Sequence, residues 1–256
     1  MSEYEGAVIH RSSDVYGDLV VADGALTRTL YFGRGTKQSS MFLDDPSVPA
    51  MHYMRGMMSA LVFNRQPERA LFIGLGGGGT VKFLRRACPG CLIEAVELRA
   101  EVIRLAHEYF ALPEGHTRTR IVHGDGREYV MRRCLEGDAA YDHILVDAFD
   151  DRGPAAAVTG RDFLAACRDL LGERGLLVFD LWTHAGAGYE RHRDLITDVF
   201  AGAVMELSLD NAEGNALVFA FRDRAAMEKS EEKKKTAADL QEEFGINFAK
   251  FLEDLS

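Results

Sequence analysis

A glycine-rich turn between an apolar run and a predicted helix constrains this chain more than any other feature. The run Ala70–Ile73 is followed directly by Gly74-Leu-Gly-Gly-Gly-Gly79. Glycine accepts unusual backbone angles and lets N–H groups approach a ligand at the positive end of the next helix. Gly74, Gly76 and Gly79 have the G-x-G-x-x-G spacing, which is weak alone but stronger between a strand and a helix.

Acidic residues end the next predicted strands. Glu97 closes the run Leu92–Val96, where a carboxylate can accept hydrogen bonds from ribose hydroxyls, although a strand-end surface acid is the other interpretation. Asp125 lies in a Gly-Asp-Gly turn after the third strand. There it can accept a hydrogen bond from an adenine amino group while Gly126 leaves room for the ring. The same tripeptide would also suit a plain turn.

Asp147 ends the fourth predicted strand, in the sequence Leu145-Val-Asp147-Ala-Phe-Asp150. Ligands of such sheets bind at the carboxyl ends of the strands, so this acid should face the reacting end of a bound nucleoside. A partly desolvated Asp can take a proton or bind a cationic amine. Acids in this series are not expected of an NAD-dependent dehydrogenase.

The alternation of strand and helix from Ala70 predicts a mostly parallel, doubly wound α/β sheet. Two β-rich runs, Ala203–Leu209 and Asn215–Phe221, then predict an antiparallel hairpin at the end of that sheet. This combination resembles the class I methyltransferase-type Rossmann fold. The predicted strands are Ala70–Ile73, Leu92–Val96, Arg120–His123, His143–Val146 and Leu176–Leu181, and the predicted helices are Thr80–Ala87, Ala100–Phe110, Arg127–Leu135, Arg161–Leu171 and Glu190–Ala201.

The two ends of the chain differ from this central part. Residues 1–48 contain three short β-rich runs and predict a small antiparallel β-meander. Residues 49–223 form the predicted nucleoside-binding domain, which opens with an apolar helical pattern over Ala50–Phe63. Residues 224–256 combine a charged linker with an amphipathic helix carrying Phe244, Phe248 and Phe251.

Composition narrows the partners. The net charge of −10 argues against a nucleic-acid partner and suits a cationic substrate. No apolar run is long enough for a membrane span, and the N-terminus does not resemble a signal peptide. The chain contains four cysteines and no export signal, which predicts a cytoplasmic protein with reduced thiols.

Taken together, these motifs resemble the spermidine synthase family of polyamine aminopropyltransferases, especially its bacterial spermidine-synthase-like branch. The similarity extends from about Gln38 to Trp182. It includes Gln38, the Asp44-Asp45-Pro46 loop, the glycine turn, Val96-Glu97, Gly124-Asp125-Gly126 and Asp147-Ala-Phe-Asp150.

The resemblance implies a role for each matched residue. Gln38, Gly74, Gly76 and Gly78 would hold the methionine-derived part and the sugar of the donor, Glu97 the ribose, and Asp125 with Gly126 the adenine. Asp147 would be the general base, and Asp150, His52 and Tyr53 would bind the amine. The family transfers the aminopropyl group of decarboxylated S-adenosylmethionine to an amine without a metal, and its members commonly form homodimers.

Three departures concern the amine. Members of the family carry Asp where this chain has Gly77, Glu where it has Met54, and Pro where it has Asp151. The resemblance therefore implies an intact donor half and an altered acceptor half. A methyltransferase that uses S-adenosylmethionine and a non-catalytic nucleoside-binding homologue remain as alternatives.

Overall fold

The computed structural model describes residues 4–33, 35–137, 140–150, 153–183, 188–209 and 214–256, with backbone only at 150, 153 and 154. Asp151 and residues 210–213 of the predicted hairpin turn lie outside these ranges. Within them, no helix is long and apolar enough to cross a membrane.

The N-terminal part is an antiparallel sheet with strand order β1-β2-β3-β4. Its strands are β1 (Ala7–Asp14), β2 (Gly17–Asp23), β3 (Thr27–Phe32) and β4 (Thr36–Phe42). The sequence predicted only three strands because Thr36–Phe42 is polar and lacks an apolar alternation. Strand β4 nevertheless buries Ser39, which lies against the glycine turn.

The central sheet has the order β12-β13-β11-β8-β5-β6-β7 among the described residues. Strands β5 to β8 and β11 pair in parallel, and β13 is antiparallel to both of its neighbours. This arrangement confirms the predicted α/β fold class with its antiparallel terminal hairpin. The strands are β5 (Arg69–Ile73), β6 (Leu92–Glu97), β7 (Thr119–His123), β8 (Tyr141–Val146), the short ribbon β9 (Phe149–Asp150) and β10 (Gly153–Pro154), then β11 (Leu171–Trp182), β12 (Val204–Ser208) and β13 (Asn215–Phe221).

Helices cover both faces of the central sheet, and their apolar sides form a separate core on each face. They are α1 (His52–Met57), α2 (Ala60–Phe63), α3 (Gly79–Ala87), α4 (Ala100–Tyr109), α5 (Gly126–Leu135), α6 (Arg161–Leu170), α7 (Tyr189–Val199), α8 (Glu231–Phe244) and α9 (Phe248–Asp254).

Two helical predictions were wrong in detail. The single helix predicted over Ala50–Phe63 is split into α1 and α2, because Ser59 N–H bonds to the Gly56 carbonyl at 2.9 Å and tightens the turn. The C-terminal segment forms two helices, since Gly245 adopts a positive φ of 67° that ends α8. Phe244 and Phe248, one from each helix, pack on Phe83 of α3.

The end of β5 comes into unusually close contact with the end of β8. Asp147 N–H bonds to the Ile73 carbonyl at 2.9 Å, and Gly74 N–H bonds to the Val96 carbonyl at 2.9 Å. Gly74 has φ of +99°, and a Cβ there would lie 1.9 Å from the Asp147 carbonyl oxygen. Only glycine fits this position.

We therefore expect Gly74→Ala to lower the free energy of unfolding by roughly 2–5 kcal/mol, from backbone strain and overpacking together. Gly90→Ala is the matched control, because Gly90 has no positive φ and no atom within 4 Å of its added Cβ. Urea denaturation of both variants measures the difference. Equal stabilities would show that the strand ends can separate freely.

Candidate active site

A first cavity of about 110 Å³ lies at the carboxyl ends of β5 to β8. It brings together residues that are predicted to bind the aminopropyl donor and that come from four separate segments of the chain. Its lining includes Gln38, Gly74, Gly76, Glu97, Asp125, Gly126 and Asp147. The turn Ala156–Val158 adds an apolar wall through Ala157 and Val158.

Glu97 is the buried acid of this cavity. Its Oε2 accepts a hydrogen bond from Leu75 N–H at 3.0 Å, and its Oε1 accepts one from Arg99 N–H at 2.9 Å. Burial raises the pKa of this carboxyl, while the backbone donors act in the opposite direction. Glu97 therefore fixes the glycine turn, and its carboxylate, which can accept about four hydrogen bonds, keeps acceptor capacity for a sugar hydroxyl.

Asp125 both begins a helix and faces the cavity. Its Oδ1 accepts a hydrogen bond from Glu128 N–H at 2.9 Å, which caps α5. Gly126 packs tightly behind it, since a Cβ there would lie 2.5 Å from Cγ2 of Ile73. The glycine thus lets the start of α5 approach β5, and this places Asp125 beside the glycine turn.

Asp147 lines both this cavity and a second one, and it is only partly exposed. Burial raises the pKa of its carboxyl to about 7, the Tyr53 hydroxyl opposes this rise, and the charge of Glu97 adds to it. The Tyr53 hydroxyl lies 3.1 Å from Asp147 Oδ2 and 3.3 Å from the Gln38 carbonyl oxygen. A carboxyl that titrates near neutral pH is suited to general-base catalysis.

The second cavity, of about 300 Å³, extends from Asp147 away from the glycine turn. Phe149 and Trp182 stack along one side with ring centroids 4.8 Å apart and an interplanar angle of 23°. The lining consists of Thr36, Lys37, Gln38, Met51, Tyr53, Asp147, Phe149, Asp180, Trp182 and Asn215. A volume with aromatic and acidic walls beside a base can hold an amine.

Two predicted site residues, His52 and Gly78, line neither cavity. The ring of His52 lies 5.3 Å from that of Phe251. Adjacent helical residues face directions about 100° apart, so Tyr53 points to the site and His52 does not. Gly78 instead precedes α3 with φ of 69°. For Asp150 the structure describes only the backbone, which pairs with Gly153.

Two positions at which the resemblance implies an acid, Gly77 and Met54, lie in core packing. A Cβ on Gly77 would lie 2.7 Å from Cδ1 of Phe110, which is fully buried. Met54 is also buried, and a Cβ added to Gly79 would lie only 2.5 Å from the methyl carbon of Met54. At both positions, apolar groups therefore occupy the space that a carboxylate would need.

The sequence did not predict several residues of the second cavity. Phe149, Asp180 and Asn215 all line it. Asp180 gave a usable signal, since it is a charged residue inside the apolar run Leu176–Leu181 and is buried to 1% exposure. Asn215 gave none, because its place depends on the pairing of β13 with β11.

The parallel sheet with its antiparallel terminal hairpin is the fold of a class I methyltransferase-type transferase. The model of the spermine/spermidine synthase domain matches residues 51–184. A polyamine aminopropyltransferase of Chromobacterium violaceum is 34% identical over 93% of this chain and 89% of its own length. One of Neisseria meningitidis is 31% identical over 94% of this chain and 89% of its own length. The chain belongs to the spermine/spermidine synthase family.

Solved structures share the fold at lower identity. A spermidine synthase in complex with the transition-state analogue AdoDATO has a TM-score of 0.70 at 19% identity, covering 86% of this chain and 75% of that one. Human methyltransferase-like protein 13 in complex with SAH has a TM-score of 0.62 at 20% identity, covering 80% of this chain and 91% of that one.

The hydrogen bond from Tyr53 gives a test of the environment of Asp147. Since the hydroxyl favours the ionised carboxylate, Tyr53→Phe should raise the pKa of Asp147 by roughly one pH unit above the wild-type value. Carbon-13 NMR titration of the Asp carboxyls measures it. Tyr129→Phe, which loses a hydroxyl bonded to Glu94, is the control. An unchanged pKa of Asp147 in Tyr53→Phe would contradict the hydrogen bond between these two side chains.

The same pKa has a consequence for stability. Because folding raises it above the value of an unfolded Asp, Asp147 contributes stability that is fully present below about pH 4. That contribution is lost as the pH rises through about 7.

Proposed function

We propose that this chain transfers the aminopropyl group of decarboxylated S-adenosylmethionine to an amine, in the cytoplasm, and releases methylthioadenosine. The observation that carries the proposal is the position of Asp147 on the boundary between the two cavities. One cavity has the groups that suit a nucleoside, and the other has those that suit a cationic amine. Membership of the spermine/spermidine synthase family supports the same reaction.

The first cavity is suited to the nucleoside of the donor. Glu97 would accept hydrogen bonds from the ribose and Asp125 one from the adenine amino group, with the apolar Val158 against the ring. Gln38, Gly74 and Gly76 would surround the sulfonium side. This arrangement directs the reactive carbon of the donor toward Asp147.

Asp147 would act as the base. The amine nitrogen attacks the carbon bonded to the sulfonium sulfur, the new C–N bond forms, and the C–S bond breaks with its electron pair passing to sulfur. The proton lost by the amine passes to the Asp147 carboxylate. A bound cation favours the ionised form, so the pKa of Asp147 should be lower in the complex than in the free protein.

The chemistry is tested by incubating the protein with decarboxylated S-adenosylmethionine and a panel of amines while methylthioadenosine is measured by chromatography. Asp147→Asn should lower turnover by about 10²–10⁴-fold with donor affinity nearly unchanged, because Asn cannot take the proton. Asp239→Asn, an exposed acid on α8 paired with Lys235, is the charge-matched control.

Three outcomes contradict this proposal. Full turnover by the Asn variant would mean that Asp147 only positions the amine. Formation of S-adenosylhomocysteine from intact S-adenosylmethionine, with no methylthioadenosine from the decarboxylated donor, would make the chain a methyltransferase. If the protein binds neither donor, both aminopropyl transfer and methyl transfer are excluded.

We also propose a homodimer formed through the N-terminal sheet. Strand β1 is an edge strand, and Val8 and Ile9 on it are each 39% exposed. An edge with apolar side chains favours pairing with a second copy. The free cysteines are consistent with the proposed cytoplasmic location, where thiols stay reduced.

Sedimentation equilibrium should find the wild type as a dimer at micromolar concentration. Ile9→Lys places a charge on the edge and should raise the dissociation constant at least about tenfold. Leu135→Lys is the control, since Leu135 is an exposed apolar residue on α5, outside the N-terminal sheet. A monomeric wild type would contradict the dimer, and equal effects of the two substitutions would place the interface elsewhere.

A further inference from the structure

A third cavity, of about 340 Å³, lies beside α3 and shares no lining residue with the first two. One of its walls is α3, and the others are the loops that follow β4 and α4. The described residues that line it are Asp45, Pro46, Ser47, Lys82, Arg85, Arg86, Ala111 and Pro113. The proposed aminopropyl transfer makes no use of this cavity.

Three of the lining residues are basic and lie on one side of α3. Residues three and four positions apart are neighbours on a helix surface, so Lys82, Arg85 and Arg86 line the cavity together. Arg86 is already paired, since its Nη1 lies 2.9 Å from Asp45 Oδ2 and 2.8 Å from the Ser47 hydroxyl. Asp45 is the one acid among the described lining residues. The positive charges of Lys82 and Arg85 therefore have no counterion in the cavity wall.

Lys82 carries its charge among neutral groups. Its side chain is only 6% exposed, and its ammonium donates to the Phe110 carbonyl oxygen and lies 3.3 Å from Sδ of Met41. An ammonium has three N–H donors, so these two contacts leave one available. Because the site is buried, the attraction between this ammonium and an anion is screened less than at the surface.

Arg85 is half-buried and lacks a hydrogen-bonding partner. Its Nε is shielded from solvent and bonds to none of the described residues. A buried donor without a partner costs free energy, which an accepting oxygen atom would recover. The guanidinium presents several N–H groups in one plane, and this geometry matches the oxygens of a phosphate group.

The charge and the size of the cavity define the class of ligand. Two cations without counterions favour a dianion over a singly charged carboxylate. A volume of about 340 Å³ also leaves room for the organic part of a phosphate ester. The chain as a whole has a net charge of −10 and repels anions, so a bound anion would be held by this local group of cations.

The segment 110–113 separates this cavity from the glycine turn. A Cβ added to Gly77 would lie 2.7 Å from Cδ1 of Phe110, and one added to Gly78 would lie 2.9 Å from Cδ1 of Leu112. The alternate residues of the same segment line the third cavity instead. An anion can therefore bind in the third cavity while the first one is occupied.

We propose that the third cavity binds a phosphate-type ligand, a tetrahedral oxyanion with two or more negative charges, through Arg85 and Lys82. Arg86 holds the loop 45–47 in place as the opposite wall. The site is separate from those proposed for the donor and the amine, and it does not depend on the proposed reaction.

Isothermal titration calorimetry of the full chain tests the site with inorganic phosphate, glycerol phosphate and acetate. Phosphate should bind more tightly than acetate, and Arg85→Gln should lower the affinity for phosphate at least about tenfold. Arg191→Gln is the charge-matched control, because Arg191 is an exposed residue of α7 outside the cavity. Tighter binding of glycerol phosphate than of inorganic phosphate would identify an ester as the ligand, and the reverse order would identify the free ion.

Proton uptake gives a second measurement at Lys82. Burial lowers the pKa of its ammonium to about 8, and a bound dianion favours the charged form. Sulfate does not titrate near pH 8, so its binding at that pH should be accompanied by uptake of up to about half a proton by the protein. Titrations in two buffers of different ionisation enthalpy measure this uptake. Lys82→Met should abolish it, whereas Arg191→Gln should leave it unchanged. The other charged groups of the wall are Asp45, Arg85 and Arg86.

Three results would overturn the assignment. The first is that the wild type binds neither phosphate nor sulfate at millimolar concentration. The second is an equal affinity for phosphate in the wild type and in Arg85→Gln. The third is a loss of phosphate binding when the protein is saturated with methylthioadenosine, which would place the anion at the glycine turn. If Lys82→Met does not fold, the comparison of Arg85→Gln with Arg191→Gln decides. None of these measurements requires aminopropyl transfer to occur.

Discussion

The close backbone contact between Gly74 and Asp147 is the constraint on which the rest of the site depends. The Asp147 carbonyl oxygen occupies the space of a side chain at position 74. Asp147 N–H also bonds to the Ile73 carbonyl, so a hydrogen bond joins the two strand ends next to this contact. The glycine turn, which is proposed to bind the donor, and Asp147, the proposed base, therefore form one rigid unit. Their relative position is set by the backbone and not by a ligand.

A second set of contacts attaches the N-terminal sheet to that unit. Glu97 accepts backbone N–H groups from Leu75 in the turn and from Arg99. The Arg99 guanidinium in turn bonds to both carboxylate oxygens of Asp14 and lies 4.3 Å from the ring centroid of Phe32. Because Arg99 is almost fully buried, this ion pair is protected from solvent screening. Glu97, the acid proposed to bind the ribose, is thus also part of a connection between the two sheets.

Local patterns were enough to predict the central sheet. Apolar runs such as Ala70–Ile73 and Leu92–Val96 alternate with helical patterns. Both the parallel orientation of the strands and the terminal hairpin follow from the sequence patterns. Glu97, Asp125 and Asp147 could be found because each follows such a run. Their roles stay predictions, as does the division of the chain at 48 and 223.

The residues that were missed depend on distant parts of the chain. Strand β4 is polar, and it is held by pairing with β3 and by the contact of Ser39 with the glycine turn. Asp180 and Asn215 meet only because β13 returns antiparallel beside β11. Such pairings have no local signature, so Asn215 could not be assigned to the second cavity from the sequence, although Tyr53 and Asp147 were expected on the amine side.

Gly77, where the resemblance to the family implies an acid, belongs to a larger group of packed residues. Phe110 fills the space beside Gly77, and its carbonyl accepts a hydrogen bond from the Lys82 ammonium, which also lies 3.3 Å from Sδ of Met41. Burial lowers the pKa of Lys82 to about 8, so this ammonium is held at a cost in desolvation that its contacts offset.

An Asp at position 77 would have to displace Phe110 and disturb that group of contacts. The packing of Phe110 on Gly77 and the contacts of the buried Lys82 therefore form one unit, and a substitution at position 77 would affect both.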